Sequence, residues 1–209
     1  MRKIILLVLV CICSNLFAQK SFFGIDAGVN VANQKMVFLV NYNPNPNAIP
    51  NSTSNVVRFR QNAVKPTFGV FYQYNFLKNL SLRMQAQYMN LGYNDNTAGN
   101  LDINYLTFPI TFHYSATRHL TFNTGPYISF TLGGTKINNE DITKTYHKND
   151  FGFSIGAEYD FYKKVSFAVN CIIGTKNIWL QDYGGTIKYT NRALQFTLIY
   201  KFKKNILIP

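Results

Sequence analysis

The sequence predicts an all-β fold, an up-and-down antiparallel transmembrane β-barrel of about eight strands. Two observations support this prediction. Apolar and polar residues alternate over eight separate stretches, which is typical of strands whose two faces meet different surroundings. The connections between these stretches are short and long in turn, as in outer-membrane barrels, where periplasmic turns are short and outer loops are long. No stretch after the N-terminal leader shows a helical period.

The alternating stretches are residues 23–32, 68–76, 80–88, 106–114, 120–132, 151–161, 165–173 and 194–202. The connections between them that we expect to be long, irregular loops are residues 33–65, 91–103, 133–149 and 175–190. The alternation changes parity between Ile103-x-Tyr105 and Leu106-x-Phe108. This change predicts either a bulge or a strand that begins after the parity change.

The N-terminal residues 1–18 have the pattern of a secretory signal peptide. A positively charged start precedes an apolar run from Ile4 to Ile12, and Ala18 provides a small residue for cleavage. This run is shorter than the roughly 20 residues that a transmembrane helix needs. We therefore expect export, cleavage near Ala18 and one barrel domain over residues 19–209, located in the bacterial outer membrane.

The apolar face of the strands is expected to contact lipid. The opposite face is poor in charge and rich in Gly, Ser, Thr, Asn and Gln, which suits a narrow lumen. Tyr and Phe residues near the strand ends are typical of the aromatic girdles at the two membrane interfaces. A soluble barrel would instead bury its apolar face and expose a charged one. A soluble periplasmic barrel remains the minor alternative.

Several short stretches resemble a known family. They are the Gly-rich first strand from Gly24 to Val31, the Tyr-x-x-x-Pro strand at Tyr105 to Ile110, Gly125-Pro126-Tyr127, and the terminal Tyr200-Lys201-Phe202. In their order and spacing the chain resembles the porin-family outer-membrane β-barrels of Bacteroidetes, the group that includes PorT-type proteins. The resemblance implies an outer-membrane barrel and permits a role in a secretion system. The tail from Lys203 to Pro209 departs from the family's terminal aromatic residue.

Three charged residues lie on the polar faces of their strands, close to the predicted periplasmic end. They are Asp26, Arg83 and Glu158. We expect these side chains to meet across the lumen, because an unpaired charge in a confined interior is costly. A plug that closes the barrel is the first interpretation of this cluster. A proton or ion relay is the second.

The chain is basic, with a formal net charge of +12. We expect a periplasmic basic rim that holds anionic lipid headgroups, formed by Lys78, Arg118, Lys163, Lys164, Lys201, Lys203 and Lys204. Other cations lie in the predicted outer loops or strand tips and are expected to meet lipopolysaccharide phosphates. The expected partners are therefore outer-membrane lipids, lipopolysaccharide and an envelope or host protein, and not nucleic acid.

Catalytic and metal sites are not predicted. The sequence places no Ser or Cys nucleophile beside His113, His119 or His147. Asp141, Asp150 and His147 in the third long loop are interpreted first as solvated loop charges, and an acid–histidine site is the weaker interpretation of the same residues. No Cys/His cluster has metal-ligand spacing. We therefore expect no catalysis, no cofactor and no metal.

The predicted function is an integral outer-membrane barrel with a plugged lumen and long extracellular loops, acting in structure or surface interaction. The alternative is a small porin or a PorT-like component of a secretion system. An outer-membrane enzyme and a soluble periplasmic barrel are less favoured.

Overall fold

The computed structural model describes residues 21–41, 53–96, 99–180 and 187–202. The predicted signal peptide at 1–18, its cleavage point and the tail with Lys203 and Lys204 lie outside the described residues. The strands are β1 (Ser21–Asn41), β2 (Thr53–Phe59), β3 (Ala63–Asn75), β4 (Leu80–Asp95), β5 (Gly99–Ser115), β6 (Leu120–Thr131), β7 (Lys136–Ile137), β8 (Glu140–Asp141), β9 (Asn149–Asp160), β10 (Val165–Gly174) and β11 (Ile187–Lys201).

Eight of these strands form a closed antiparallel ring. Each is paired with its neighbour in the order β1, β3, β4, β5, β6, β9, β10 and β11, and β11 pairs with β1. β2 continues the line of β3 and also pairs with β1. Its register on β1 is displaced by one residue relative to that of β3, because Lys35 pairs with Phe59 whereas Ala32 pairs with Ala63. The prediction of an eight-stranded up-and-down barrel is confirmed.

The two ends of the barrel differ. The turn end carries the tight connections at residues 76–79, 116–119 and 161–164. The loop end carries the other connections, including the β7–β8 hairpin and a 3-10 helix at Thr143–Thr145. In the part of the chain that the structure describes, no helix is long and apolar enough to cross a membrane.

The alternating pattern of the sequence separates an apolar outer surface from a mostly polar lumen. On β6, for example, Phe122 and Phe130 are 49% and 46% exposed, whereas the intervening Asn123 and Ser129 are buried. Because such apolar side chains cover the outside of all eight wall strands, the barrel presents a continuous apolar belt. A belt of this size indicates contact with lipid.

Two of the predicted long loops are wrong. Much of residues 33–65 is strand, since β1 runs to Asn41, β2 covers Thr53–Phe59 and β3 begins at Ala63. The predicted loop at residues 91–103 is also strand. β4 continues to Asp95 and β5 begins at Gly99, so the connection between them is only residues 96–98. The predicted bulge or late start of β5 is also wrong, since Ile103 and Tyr105 both point into the lumen on one continuous strand. The parity of the sequence changes because the lumen itself becomes apolar towards the loop end.

The barrel wall is incomplete on one side near the loop end. The ladder between β3 and β4 ends at Thr67↔Met89, and the described pairs of β4 beyond Met89 are with β5. Here β4 also lies against β1, so that Leu91 and Tyr93 join a buried cluster with Met36. Two ion pairs, Arg60–Asp95 at 3.0 Å and Lys65–Asp102 at 2.6 Å, bridge this side of the molecule.

Candidate functional site in the barrel lumen

A group of buried charges lies across the lumen near the turn end. Glu158 on β9 forms ion pairs with two cations: Arg83 Nη2 lies 2.8 Å from its Oε2, and Lys201 Nζ lies 2.5 Å from its Oε1. Lys201 also lies 2.6 Å from Asp160 Oδ1. The strands β4, β9 and β11 are thereby linked across the interior. We call Arg83, Glu158, Asp160 and Lys201 the inner charge layer.

Arg83 makes further contacts besides its ion pair with Glu158. Its Nε and Nη2 donate hydrogen bonds of 2.9 and 2.7 Å to Gln73 Oε1, and its guanidinium lies 4.3 Å from the centre of the Phe71 ring. Gln73 in turn donates to Ser81 at 2.8 Å. A guanidinium with a buried carboxylate, an amide oxygen and an aromatic face is held in one position.

Asp26 lies in the same lumen but is bound by amides. Gln85 Nε2 donates to its Oδ2 at 2.6 Å and Gln87 Nε2 donates to its Oδ1 at 2.8 Å. Of the three residues expected to meet, Arg83 and Glu158 form a direct ion pair, and Asp26 is held by two amides on β4, the strand that carries Arg83.

The prediction that Lys201 belongs to the basic rim is wrong. Its side chain is 6% exposed and lies inside the barrel, because it shares the inward parity of Gln195 and Thr197 on β11. The rim residues Lys78, Arg118, Lys163 and Lys164 are exposed at the turn end. Lys203 and Lys204 lie outside the described residues.

A small polar cavity lies beside the inner charge layer. Its volume is about 30 Å³, and its lining includes Arg83, His113, Asn123 and Asn170. This volume accommodates about two water molecules. His113 is 2% exposed; its Nε2 lies 2.9 Å from Thr111 Oγ1, and its Nδ1 has no hydrogen-bond partner within the described residues. The cavity is therefore suited to ordered water.

Amide side chains fill the middle of the lumen. Gln195 Nε2 lies 3.2 Å from Asn30 Oδ1 and 3.3 Å from both Thr67 Oγ1 and Gln87 Oε1. These contacts join β11, β1, β3 and β4 at one depth. The polar face predicted from the sequence thus forms a hydrogen-bonded network.

A second group of buried side chains lies nearer the loop end and is centred on Asp150, which is completely buried. Tyr127 Oη donates to Asp150 Oδ2 at 3.3 Å and Asn191 Nδ2 donates to the same oxygen at 2.9 Å. Asn191 Nδ2 also lies 3.2 Å from Tyr105 Oη, and its Oδ1 accepts from Gln34 at 3.1 Å. Five strands, β1, β5, β6, β9 and β11, meet at this group.

An apolar cap covers Asp150 and its partners. The buried cluster contains side chains from six wall strands and from the loops, namely Ala32, Met36, Met89, Leu91, Tyr93, Leu101, Ile103, Tyr105, Tyr127, Tyr146, Ile172, Ile178, Tyr189 and Ala193. Tyr146 and Trp179 come from different loops and form a β-bridge. Their rings meet edge to face at 5.1 Å, and Trp179 also packs on Tyr189 at 4.9 Å. We call this cluster together with Asp150 and Asn191 the outer layer.

The outer layer was not predicted from the sequence. The sequence pattern places Asp150 with the third long loop, but it lies in the lumen at the start of β9. Asp141 is exposed and accepts hydrogen bonds from the backbone and side chain of Thr143, which lower the pKa of its carboxyl. His119 lies exposed at a turn, where its Nδ1 is 2.9 Å from the Asp160 carbonyl oxygen. Among the described residues, no group of three or more His, Cys, Asp or Glu is placed to hold a metal ion.

The fold and the sequence together place the chain in a family. The outer membrane protein beta-barrel domain matches residues 4–202. The chain belongs to this family, and its location is therefore the bacterial outer membrane. The soluble periplasmic alternative is set aside.

Solved structures with a similar fold include small outer-membrane barrels. Neisserial surface protein A is 13% identical with a TM-score of 0.48, covering 86% of this chain and 97% of that one. OprG from Pseudomonas aeruginosa is 11% identical with a TM-score of 0.46, covering 88% and 97%. The E. coli outer membrane protein W is 13% identical with a TM-score of 0.40, covering 88% and 98%. The comparison with curated proteins gives no match.

Proposed function

We propose that this chain is a closed outer-membrane barrel that acts in structure or surface interaction and does not conduct. The observation that carries the proposal is the filling of the lumen at two depths, by the inner charge layer and by the outer layer. An eight-stranded barrel has an interior just wide enough for side chains to fill it. The cavity beside the inner charge layer has a volume of about 30 Å³, which accommodates about two water molecules.

The proposal assigns the interaction to the outside of the barrel. Its partners are outer-membrane lipids and lipopolysaccharide, with an envelope or host protein contacted by the loops. The proposal includes neither catalysis nor a cofactor. A small porin is the competing function.

Single-channel recording tests the proposal. The purified chain is inserted into planar bilayers, insertion is verified by flotation of matched proteoliposomes, and a conducting porin is recorded in the same apparatus. We expect no steady conductance steps from the wild-type barrel. Reproducible steps whose frequency rises with protein concentration would refute a closed lumen.

A secretion-system role of the PorT type is the second candidate. It rests on the sequence resemblance, and two of the residues that carry it, Tyr105 and Tyr127, contact the Asp150–Asn191 pair in the lumen. Gly125 belongs to the same motif, and a Cβ there would lie 2.0 Å from the Ile110 carbonyl oxygen. Deletion of the chain in its host should then reduce the set of secreted proteins. An unchanged secretome would contradict this candidate and leave the closed barrel untouched.

Export through a cleaved signal peptide completes the proposal. Cleavage near Ala18 is expected to leave Gln19 as the first residue of the mature protein in the outer-membrane fraction. Mass spectrometry of the N-terminal peptide from that fraction checks this, and an intact leader would contradict it.

A further inference from the structure

Three cations lie next to one another on the outer surface near the loop end. Lys35 on β1 is the cross-strand partner of Thr190 on β11, and Lys188 and Arg192 lie two residues to either side of Thr190. Both are thus diagonal neighbours of Lys35, at the roughly 7–8 Å that separates such positions in a sheet. The residues that flank these positions along each strand are buried in the lumen, namely Gln34, Met36, Tyr189 and Asn191. Because side chains alternate along a strand, the three cations therefore point outwards. We call Lys35, Lys188 and Arg192 the cation triad.

The cation triad lies at the edge of the apolar belt. Towards the turn end, the outer face of β11 continues with Leu194, and that of β1 continues with Asn33, Val31 and then Val29. Leu194 and Val29 are 42% and 40% exposed. A molecule that contacts the triad from the lipid side would therefore place apolar groups on these residues. Thr190 is only 6% exposed, although it lies on the outward face at the centre of the triad.

The cation triad has no carboxylate partner within the described residues. The described carboxylates of the barrel wall are bound elsewhere: Asp26 by amides, Asp95 by Arg60, Asp102 by Lys65, Asp150 by Asn191 and Tyr127, Glu158 by Arg83 and Lys201, and Asp160 by Lys201. In addition, the buried Nε of Arg192 has no hydrogen-bond acceptor in the described ranges. Its guanidinium carbon lies 5.8 Å from the centre of the Phe59 ring.

Neighbouring like charges on a sheet repel one another. The cation triad has no counter-charge within the described residues, so it favours the binding of an external anion. Arginine and lysine are the side chains that bind phosphate, through charge-assisted hydrogen bonds. The position at the border between the apolar belt and the loops selects an anion that is attached to acyl chains.

We propose that the cation triad binds a phosphate group on the headgroup of lipopolysaccharide in the outer leaflet, with acyl chains lying along Val29 and Leu194. The site depends on the placement of the barrel in the outer membrane and not on the closed lumen. A conductance experiment that refuted the closed barrel would therefore leave this proposal standing.

The test measures binding of diphosphorylated lipid A to the full chain in zwitterionic micelles by native mass spectrometry. The variant Lys35→Gln/Lys188→Gln/Arg192→Gln removes the triad. The matched control Lys136→Gln/Lys144→Gln/Lys148→Gln removes three other loop-end cations. We expect the first variant to lower the apparent affinity roughly a hundredfold and the control to change it less than threefold. Equal losses in both variants would overturn the proposal, because they would indicate bulk attraction without a site.

Two further binding measurements use the wild-type chain, so they test the proposal even if the first variant fails to fold. Dephosphorylated lipid A should bind the wild-type chain at least tenfold more weakly, and equal binding would refute recognition of phosphate. Inorganic phosphate at millimolar concentration should not displace the lipid. Displacement would assign the triad to free phosphate and overturn the lipid assignment.

Discussion

Glu158 is the residue on which the inner charge layer depends. It is 2% exposed and has a cation on each carboxylate oxygen. Two cations and two carboxylates, with Asp160 as the second, give this layer a balanced formal charge. Removing one member leaves an uncompensated charge in the lumen, which costs more than the pair contributes by forming.

Arg83→Met is expected to lower the free energy of unfolding by about 3–5 kcal/mol, because it leaves part of the Glu158 charge unpaired. Urea unfolding of the barrel in lipid vesicles measures the change, and bilayer recording of the same variant is expected to show no conductance. Arg118→Met, at an exposed turn, is the matched control and should change the stability by less than about 0.5 kcal/mol. An unchanged heat-denaturation profile for Arg83→Met would mean that the charges do not stabilise the barrel.

Lys201 should be chemically protected, unlike the rim lysines. A water-soluble acylating reagent applied to the folded barrel in micelles is expected to modify Lys163 and Lys164 at least tenfold faster than Lys201, because Lys201 is enclosed with Glu158 and Asp160. Peptide mass spectrometry reports all three sites in one sample, so the exposed lysines serve as internal controls. Comparable rates at Lys201 and Lys163 would return Lys201 to the rim.

At the scale of the strand, the sequence predicts which face meets lipid. Strand alternation is a local property, so it can be recognised without knowing the partners of a strand. On β10 it places Cys171 on the outward face, where the thiol is exposed. Cys11 and Cys13 lie in the predicted signal peptide, so Cys171 is the sole cysteine expected in the mature chain.

Cys171 therefore serves as a probe of the lipid-facing surface. In vesicles, a charged maleimide is expected to leave Cys171 unmodified, because the reagent does not enter the hydrocarbon layer. After unfolding in detergent it should react fully. The control is Thr117→Cys in a Cys171→Ser background, which places the thiol at an exposed turn and should react in vesicles. Rapid labelling of Cys171 in vesicles would contradict a lipid-facing β10.

What local alternation does not predict is where a strand changes its surroundings. Ile103 and Tyr105 look like a shift of register, but they are apolar because their part of the lumen packs against side chains from distant strands and loops. The parity of Lys201 was available from Gln195 and Thr197 on the same strand, so its inward position was predictable. The outer layer was not, since Tyr146, Ile178 and Asp150 meet through tertiary contacts that the pattern of one strand does not contain.

At the scale of the whole molecule, the two layers of the proposed closed barrel fill the lumen by different physical means. The inner charge layer depends on paired charges, which are costly to separate. The outer layer depends largely on apolar burial, at about 1.5–3 kcal/mol for each fully buried large side chain, together with the hydrogen bonds of Asp150. Each layer spans the lumen by itself, because each joins strands on different sides of the ring.

Conductance should therefore appear only when both layers are removed. Arg83→Ser/Lys201→Ser opens the inner charge layer, and Tyr105→Ala/Tyr127→Ala opens the outer layer. We expect each double variant alone to give no steady conductance steps, and the fourfold variant to conduct. Heat-modifiable gel mobility must first show that each variant retains its barrel, since large-to-small changes in a core cost about 3–5 kcal/mol for an aromatic side chain. Steady conductance steps from either double variant alone would mean that the layer removed in that variant seals the lumen by itself. The side chains of the other layer would then have no part in its closure.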